Sequence, residues 1–188
     1  MLHSHRFLTG ALFSLMASTV LAAPSAVPPQ SLKPLLETLN ERLNIGDLVA
    51  LTKWDSGKPI QDSPREAQVI ANARTLATQY TLDPEEVAQL IAAQMEANKL
   101  VQYGLLAQWQ VTGAAPDTPR PDLGQQIRPR LDELQSRLLQ QYAAFAAHRR
   151  DADCPVWLAT ARSGLAVDRL HELALVRATG ELCVRAAR

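Results

Sequence analysis

The chain has 188 residues, and its 19 Lys and Arg side chains are balanced by 19 Asp and Glu. A near-neutral protein lacks the electrostatic attraction that nucleic acids and anionic membranes exert on basic chains, so we expect neither as a partner. The length suits one domain with a single core. The sequence contains no glycine-rich phosphate loop and no spacing typical of zinc ligands.

The first residues have the layout of an export signal. His5 and Arg6 precede an apolar run over residues 7–21, which leads into small residues and is then followed by prolines. The run is too short for a membrane-spanning helix, and the small residues provide a cleavage site. We therefore expect a signal peptide over residues 1–22 and a mature protein in the periplasm or outside the cell.

Cleavage is expected after Ala22, with Ala23 as a near alternative. The mature chain would then begin with a proline-rich, disordered linker over residues 23–31, followed by one domain over residues 32–188. Once the signal peptide is removed, no segment of the sequence predicts attachment to a membrane.

A long first helix is predicted from about Pro34, and it carries two cations on its apolar face. Arg42 and Lys53 are eleven residues apart, close to three full turns, so both side chains point the same way. Because Arg and Lys are almost never fully buried without partners, this face predicts an internal polar site. The neighbours of the two cations on this face are apolar or small, namely Leu35, Leu39, Ile45, Gly46 and Val49.

A second helix is predicted after a loop over residues 55–61. Ser63 can cap it, Pro64 fits its first turn, and Glu66 completes a capping box. Arg65 and Glu66 then lie at the beginning of the helix. Glu66 shares a face with the apolar positions further along, so we expect it to face inward beside the cations of the first helix.

The run Asp-Pro-Glu-Glu at residues 83–86 predicts the start of a third helix that extends to about Trp109. The apolar face of this helix is centred on Asn98 and also carries Gln94 and Gln102. Buried amides require hydrogen-bond partners. Asn98 and Gln102 are therefore either satisfied core amides or the lining of a polar pocket.

A proline-rich loop over residues 112–121 separates these helices from a fourth, which is predicted over about residues 122–148. Apolar residues recur in it at intervals of three and four, as expected for a helix that packs against the rest. Pro129 disfavours the helical conformation at Arg128, so regular helix is expected only from about Pro129.

Residues 155–184 predict one or two further helices, with a weak point at Ser163-Gly164. No stretch of the sequence shows the alternation of apolar and polar residues that is typical of a strand. We therefore predict an all-α fold, a single-domain helical bundle of about five to six helices.

The two cysteines, Cys154 and Cys183, lie beyond the cation-rich region. In an oxidising compartment reached through a signal peptide, an isolated pair is expected to form one disulfide. A thiol nucleophile or a metal site would need a nearby His or further ligands, and only His148 and His171 remain in the mature chain. We therefore predict a disulfide and no metal site.

Together the helices offer several inward cations, two carboxylates and two amides, but no nucleophile with an adjacent base. A pocket of this composition binds a small dianion, and a reaction in it has to proceed by orientation and charge stabilisation. The competing interpretation is a helical bundle with surface cations and satisfied amides. For any one of these residues alone, that simpler interpretation is the stronger one.

The joint spacing of these residues favours the pocket. It resembles the active-site pattern of the all-helical, AroQ-class chorismate mutases, and the signal peptide, a later arginine and the cysteine pair resemble their secreted gamma subclass. The resemblance implies the rearrangement of chorismate to prephenate, a unimolecular pericyclic step of phenylalanine and tyrosine biosynthesis that needs no cofactor. It also implies a homodimer. The residues that carry it are Arg42, Lys53, Arg65, Glu66, Asn98, Gln102 and Arg128.

The resemblance implies four catalytic residues. Arg42 and Arg128 would hold the carboxylates of the substrate, with Arg130 a weaker rival of Arg128. Lys53 would bridge a carboxylate and the ether oxygen, and Gln102, at a position that is Glu in some members, would donate to the same oxygen. Negative charge develops on this oxygen as the carbon–oxygen bond breaks, so fixed donors stabilise the transition state more than the ground state.

Further contacts are implied for the ring of the substrate. Arg65 and Asn98, which stands where small hydroxyl residues are common in the family, would help to hold the ring carboxylate. Glu66, together with Asp62, would accept a hydrogen bond from the ring hydroxyl. The alternative function, from a different class, is a non-catalytic periplasmic helical module that binds a small dicarboxylate or a partner protein in the same pocket.

Overall fold

The computed structural model describes residues 27–184, so the predicted signal peptide, its cleavage site and the start of the predicted linker lie outside the described residues. Within this range the chain forms six α-helices and no β-strand, which confirms the all-α prediction. No helix in this part of the chain is long and apolar enough to span a membrane. The helices are α1 Leu32–Ser56, α2 Ser63–Ala77, α3 Pro84–Thr112, α4 Arg128–Phe145, α5 Cys154–Arg162 and α6 Arg169–Ala178.

The central helix of the bundle is α3, which packs against α1, α2 and α6, while α1 also packs against α4. Burying one large apolar side chain contributes about 1.5 to 3 kcal/mol, so a shared core fixes the relative positions of these helices. The core is filled by fully buried side chains from α1, α3 and α4, in particular Leu35, Leu39, Leu90, Ile91, Leu138, Tyr142 and Phe145.

The first helix continues through both of the cations that were predicted to share a face. It ends at Gly57, which adopts the left-handed conformation with φ 64° and donates its backbone N–H to the Lys53 carbonyl at 2.9 Å. A residue with a side chain would be strained there. Lys53 therefore lies in the last turn of α1, where the negative end of the helix dipole favours a cation.

The N-cap of the second helix lies one residue before the predicted one. Asp62, rather than Ser63, is the N-cap: its Oδ1 accepts from the Arg65 backbone N–H at 3.2 Å, and Glu66 Oε1 accepts from the Asp62 N–H at 3.2 Å. Asp is as good a cap as Ser, and its negative charge also interacts with the helix dipole. The expectation of a cap at Ser63 is thus wrong, although the reciprocal capping through Glu66 is present.

The fourth helix also begins earlier than expected. Arg128 has φ −63° and ψ −47°, which is helical conformation, although the following Pro129 disfavours it. A π-helical turn over Leu123–Ile127 leads directly into α4, and buried Ile127 anchors that turn in the core. The tertiary contact overrides the local preference, so the side chain of Arg128 is carried on the first turn of a regular helix.

The C-terminal segment is joined covalently and by hydrogen bonds to the rest of the bundle. Cys154 and Cys183 form a disulfide, as predicted. Arg149 donates to the Leu182 carbonyl at 3.2 Å, and its own carbonyl accepts from the Val184 N–H at 2.8 Å. Arg149 also pairs with Glu86 at the start of α3. These bonds hold the segment after α6 against α3 and α5.

A buried histidine links α6 to α1. The His171 side chain is only 2% exposed, and its two ring nitrogens lie 2.9 Å from Asp168 Oδ1 and 2.9 Å from Asp47 Oδ1. Burial alone would lower the pKa of His171, but the hydrogen bonds to Asp168 and Asp47 outweigh it and raise the pKa above its ordinary value. In its protonated form, His171 therefore acts as a clamp that joins α6 to α1 through the carboxylates of Asp168 and Asp47.

We expect the disulfide to stabilise the fold by lowering the conformational entropy of the unfolded chain. The two cysteines are 29 residues apart, and closing a loop of that size is worth roughly 3 to 4 kcal/mol in the chain-entropy model. The free energy of unfolding of C154S/C183S, measured in urea, should be lower by about this amount, with helical content unchanged in buffer. Titration of the denatured, unreduced wild type should detect no free thiol, and detection of two would contradict the prediction.

The histidine clamp should make stability depend on pH. Because the folded-state pKa of His171 is raised, its contribution is fully present below its unfolded pKa of about 6.5 and is lost as the pH rises through the folded-state pKa. The backbone N–H of His171 lowers the pKa of Asp168, whereas burial raises the pKa of Asp47, so Asp47 is protonated first as the pH falls.

The measurement is urea unfolding of wild type and H171Q from about pH 5 to 9. The difference in the free energy of unfolding should be largest near the acid end of this range and shrink as the pH rises. H148Q is the control, because His148 contacts the rings of Phe145 and Trp157 rather than carboxylates. A wild-type advantage over H171Q that stays constant with pH would refute the clamp.

Candidate active site

A cavity of about 180 Å³ opens between α1, α2, α3 and the start of α4. All of the side chains that the sequence singled out for substrate contacts line it. Apolar side chains from the same helices also line it, among them Val49, Val69, Met95 and Leu131. The predicted residues that meet here are Arg42, Lys53, Asp62, Arg65, Glu66, Asn98, Gln102 and Arg128.

Arg42 is the most buried cation of the cavity, with 7% of its surface exposed. Its Nη1 donates to the Leu131 carbonyl on α4 at 2.7 Å, whereas its buried Nε has no hydrogen-bond partner among the described residues. Burial lowers the pKa of Arg42 to about 10, and nearby Asp132 opposes that shift. The guanidinium thus stays charged at neutral pH and keeps an unused donor in a poorly solvated place, which favours an anionic ligand.

The two amides of α3 line the cavity instead of being satisfied core amides. Gln102 Nε2 donates to Asn98 Oδ1 at 2.7 Å, and Asn98 Nδ2 lies 3.4 Å from the Arg42 carbonyl. Gln102 Oε1 is buried without a partner in the described part of the chain, and only one of the two N–H bonds of this amide is used. Gly46 permits this packing, because a Cβ there would lie 3.0 Å from Asn98 Nδ2.

Lys53 and Arg65 line the cavity but are bound to neighbours in their own segment. Lys53 Nζ donates to the Pro59 carbonyl in the loop between α1 and α2 at 2.7 Å. Arg65 Nη1 donates to Gln68 Oε1 at 2.7 Å. Neither side chain forms an ion pair with a carboxylate among the residues described, so both can exchange these neutral acceptors for an anion.

Glu66 faces the cavity, but its ionic partner was not foreseen. Lys99 Nζ on α3 lies 3.0 Å from Glu66 Oε2 and 2.7 Å from Glu96 Oε1. The hydrogen bond to Glu96, together with that to Glu66, raises the pKa of Lys99. The sequence held one signal: Lys99 follows Met95 by four residues, which places the two on one side of α3, and both line the cavity.

The structure separates the two arginines at the start of α4. Arg128 lines the cavity, whereas Arg130 forms ion pairs with Glu133 at 2.7 Å and with Glu41 on α1. Glu41 also pairs with Arg137, so these charges fasten α4 to α1 outside the cavity. Arg128 is therefore the arginine available to a ligand.

Two further polar residues of the wall, Asp132 and Gln135, were missed, whereas Gln94 was predicted on the same face of α3 as Asn98. Gln94 Nε2 donates to the Ala178 carbonyl at 2.6 Å and so acts mainly as a tie to α6. Five cationic and three acidic side chains line the cavity, which leaves an excess of two positive charges. Within residues 27–184, no three His, Cys, Asp or Glu side chains are grouped as metal ligands.

The fold and the cavity define an all-helical protein with one small, cationic, amide-lined site among the described residues. Comparisons with known proteins agree. The profile of the family described as chorismate mutase type II matches residues 33–103. A crystal structure of chorismate mutase from Burkholderia phymatum has 45% sequence identity and a TM-score of 0.81, covering 82% of this chain and 97% of that one.

Curated relatives give the same result. The secreted chorismate mutase of Mycolicibacterium smegmatis is 33% identical over 137 residues, which cover 69% of this chain and 75% of the relative. That of Mycobacterium tuberculosis is 29% identical over 178 residues, or 93% and 89% of the two chains. The chain belongs to the type II chorismate mutase family.

Proposed function

We propose that this chain is a chorismate mutase, an isomerase that rearranges chorismate to prephenate in the cavity between α1, α2, α3 and α4. The observation that carries the proposal is the convergence of every side chain implied by the family resemblance on one cationic cavity. The excess of two positive charges among its ionisable residues matches the two carboxylates of chorismate.

Arg42 and Arg128 approach the cavity from different helices and would clamp the two carboxylates of the substrate. Arg42 is already held by the Leu131 carbonyl, so little conformational entropy is lost when it binds. Holding the enolpyruvyl side chain over the ring is the orientational part of catalysis, because the reaction joins two carbon atoms of the same molecule.

Lys53 and Gln102 would act on the ether oxygen. The ammonium of Lys53 moves from the Pro59 carbonyl to the substrate, and the second N–H of Gln102 is free to donate. As the carbon–oxygen bond breaks ahead of carbon–carbon bond formation, negative charge accumulates on this oxygen. Donors fixed in a poorly solvated cavity then bind the transition state more strongly than the substrate.

The ring of the substrate would be held at the beginning of α2. Arg65 and Asn98 would bind the ring carboxylate, and Glu66 would accept from the ring hydroxyl, with Asp62 beside it. The non-catalytic alternative does not require this complete set of roles, and the family membership of the chain favours the enzyme.

Secretion is also proposed, as is a homodimer. Relatives from two mycobacteria are named secreted chorismate mutases, and residues 1–22 have the composition of a signal peptide. A cleaved signal would place the mature enzyme in the periplasm or outside the cell. The reaction, which needs no cofactor, would be a step of phenylalanine and tyrosine biosynthesis, and its substrate is a small molecule.

The direct test is the loss of chorismate absorbance when purified mature protein is added. We expect wild type to consume chorismate and K53A to be slower by about a hundred- to a thousandfold, because one donor to the transition state is removed. Helicity and thermal stability of K53A should stay near those of wild type. A wild type without turnover would reject the enzyme, and a K53A variant of normal activity would reject the placement of Lys53.

Arg128 and Arg130 provide a matched pair of variants. R128A should lose at least about a hundredfold in kcat/KM, because a charge-assisted contact to a substrate carboxylate disappears. R130A removes an arginine from the same turn but only breaks half-exposed ion pairs, so its kcat/KM should stay within about threefold of wild type. The reverse order of the two variants would show that Arg130 is the binding arginine.

Gln102 gives the sharpest pH test of the mechanism. An amide donates at any ordinary pH, so this group should leave the wild-type rate flat from about pH 5 to 8. In Q102E the carboxylate lacks the donor at neutral pH and repels the charge of the transition state, so activity should be poor there and rise as the pH falls.

The measurement is a pH–rate profile of both proteins, with circular dichroism at each pH to exclude unfolding. Parallel profiles of Q102E and wild type would show that Gln102 does not face the breaking bond.

A further inference from the structure

Lys99 is the one cation of the cavity wall to which the family resemblance gives no role. It extends from α3 with its side chain 14% exposed, and both of its ionic partners are carboxylates. Glu96 belongs to the same helix, is 52% exposed and does not line the cavity. Glu66 belongs to α2 and does line it. The pair with Glu66 therefore joins two walls of the site.

The two oxygens of Glu66 are fixed from opposite sides. Oε1 accepts from the Asp62 N–H at 3.2 Å, and Oε2 accepts from Lys99 Nζ at 3.0 Å. A glutamate side chain near a helix terminus has several rotamers to choose from, and ordering one of them loses conformational entropy. These two bonds set the direction of the carboxylate before any ligand arrives, which is the condition for a positioned acceptor.

The charge of Glu66 would also be a disadvantage without Lys99. Its carboxylate lies in a cavity proposed to bind a dianion, and two negative charges repel each other more strongly where water is partly excluded. The Lys99 ammonium, 3.0 Å from Glu66 Oε2, offsets that charge. The remaining lone pairs of the carboxylate can still accept hydrogen bonds.

We propose that Lys99 is a positioning residue of this site: it holds the Glu66 carboxylate toward the substrate hydroxyl, offsets its charge, and acts on the substrate only through Glu66. This inference rests on the proposed function. No bond to this hydroxyl forms or breaks in the rearrangement, so it is bound alike in the ground state and the transition state. The loss of Lys99 therefore changes KM and leaves kcat nearly constant.

The experiment is a double-mutant cycle on the full mature protein with chorismate as substrate. K99M removes the charge and keeps the length of the side chain, and it should raise KM about tenfold with kcat within about threefold of wild type. K99R can still reach both carboxylates and should restore KM to within about threefold. K99Q is measured in parallel, and thermal unfolding of each variant confirms that it is folded.

The decisive arm is K99M in the E66Q background. If Lys99 acts only through Glu66, the KM of the double variant should lie within about twofold of the KM of E66Q alone. The E66Q substitution has already removed the carboxylate that Lys99 positions and whose charge it offsets. E96Q is the matched control: it removes the other partner of Lys99, and its KM should equal that of wild type within about twofold.

Each other outcome overturns the inference. If the effects of K99M and E66Q on KM multiply, Lys99 contacts the substrate itself. A fall in kcat at constant KM, or a K99M variant with normal kinetics, also excludes the positioning role. A wild type without any turnover of chorismate overturns the proposed function and this inference with it, whereas an active wild type with any of the preceding results overturns the inference alone.

Discussion

The site is built around a cation placed inside the core of a helix bundle. Arg42 lies in the apolar stripe of α1, where removing a charge from water is unfavourable unless the protein supplies partners. The Leu131 carbonyl supplies one, and this bond also fixes α4 beside α1. The Arg42 carbonyl in turn lies near Asn98, so one residue connects α1, α3 and α4. Its buried Nε has no partner among the described residues, so the desolvation is incompletely offset.

What could be predicted from the sequence was the part set by periodicity within one helix. The shared face of Arg42 and Lys53 follows from their spacing alone, as do the amides that interrupt the apolar face of α3 around Asn98. Pairs between helices could not be foreseen in this way: Lys99 with Glu66, and His171 with Asp47, depend on how the helices cross.

Local rules also failed where tertiary contacts outweighed them. Arg128 is helical before a proline because Ile127 is buried in the core. The cap of α2 is a different case: Asp62 and Ser63 are equally suitable caps, so the local rule could not distinguish between them. The comparison of Arg128 with Arg130 had the same limit. Both arginines stand in one turn, and Arg130 is the one held outside the cavity, by Glu133 on its own helix and by Glu41, whose position on α1 depends on how the helices pack.

Catalysis in such a cavity depends on donors that bind the substrate weakly enough to be released and the transition state more strongly. Lys53 illustrates the balance, because its ammonium is bound to a neutral carbonyl, that of Pro59, before the substrate enters. A neutral ether oxygen accepts a hydrogen bond from the ammonium no more strongly than that carbonyl does. An oxygen that carries developing negative charge accepts it much more strongly. In the proposed role of Lys53, the exchange of partners would therefore be nearly neutral in the ground state and favourable in the transition state, which is how binding energy lowers an activation barrier.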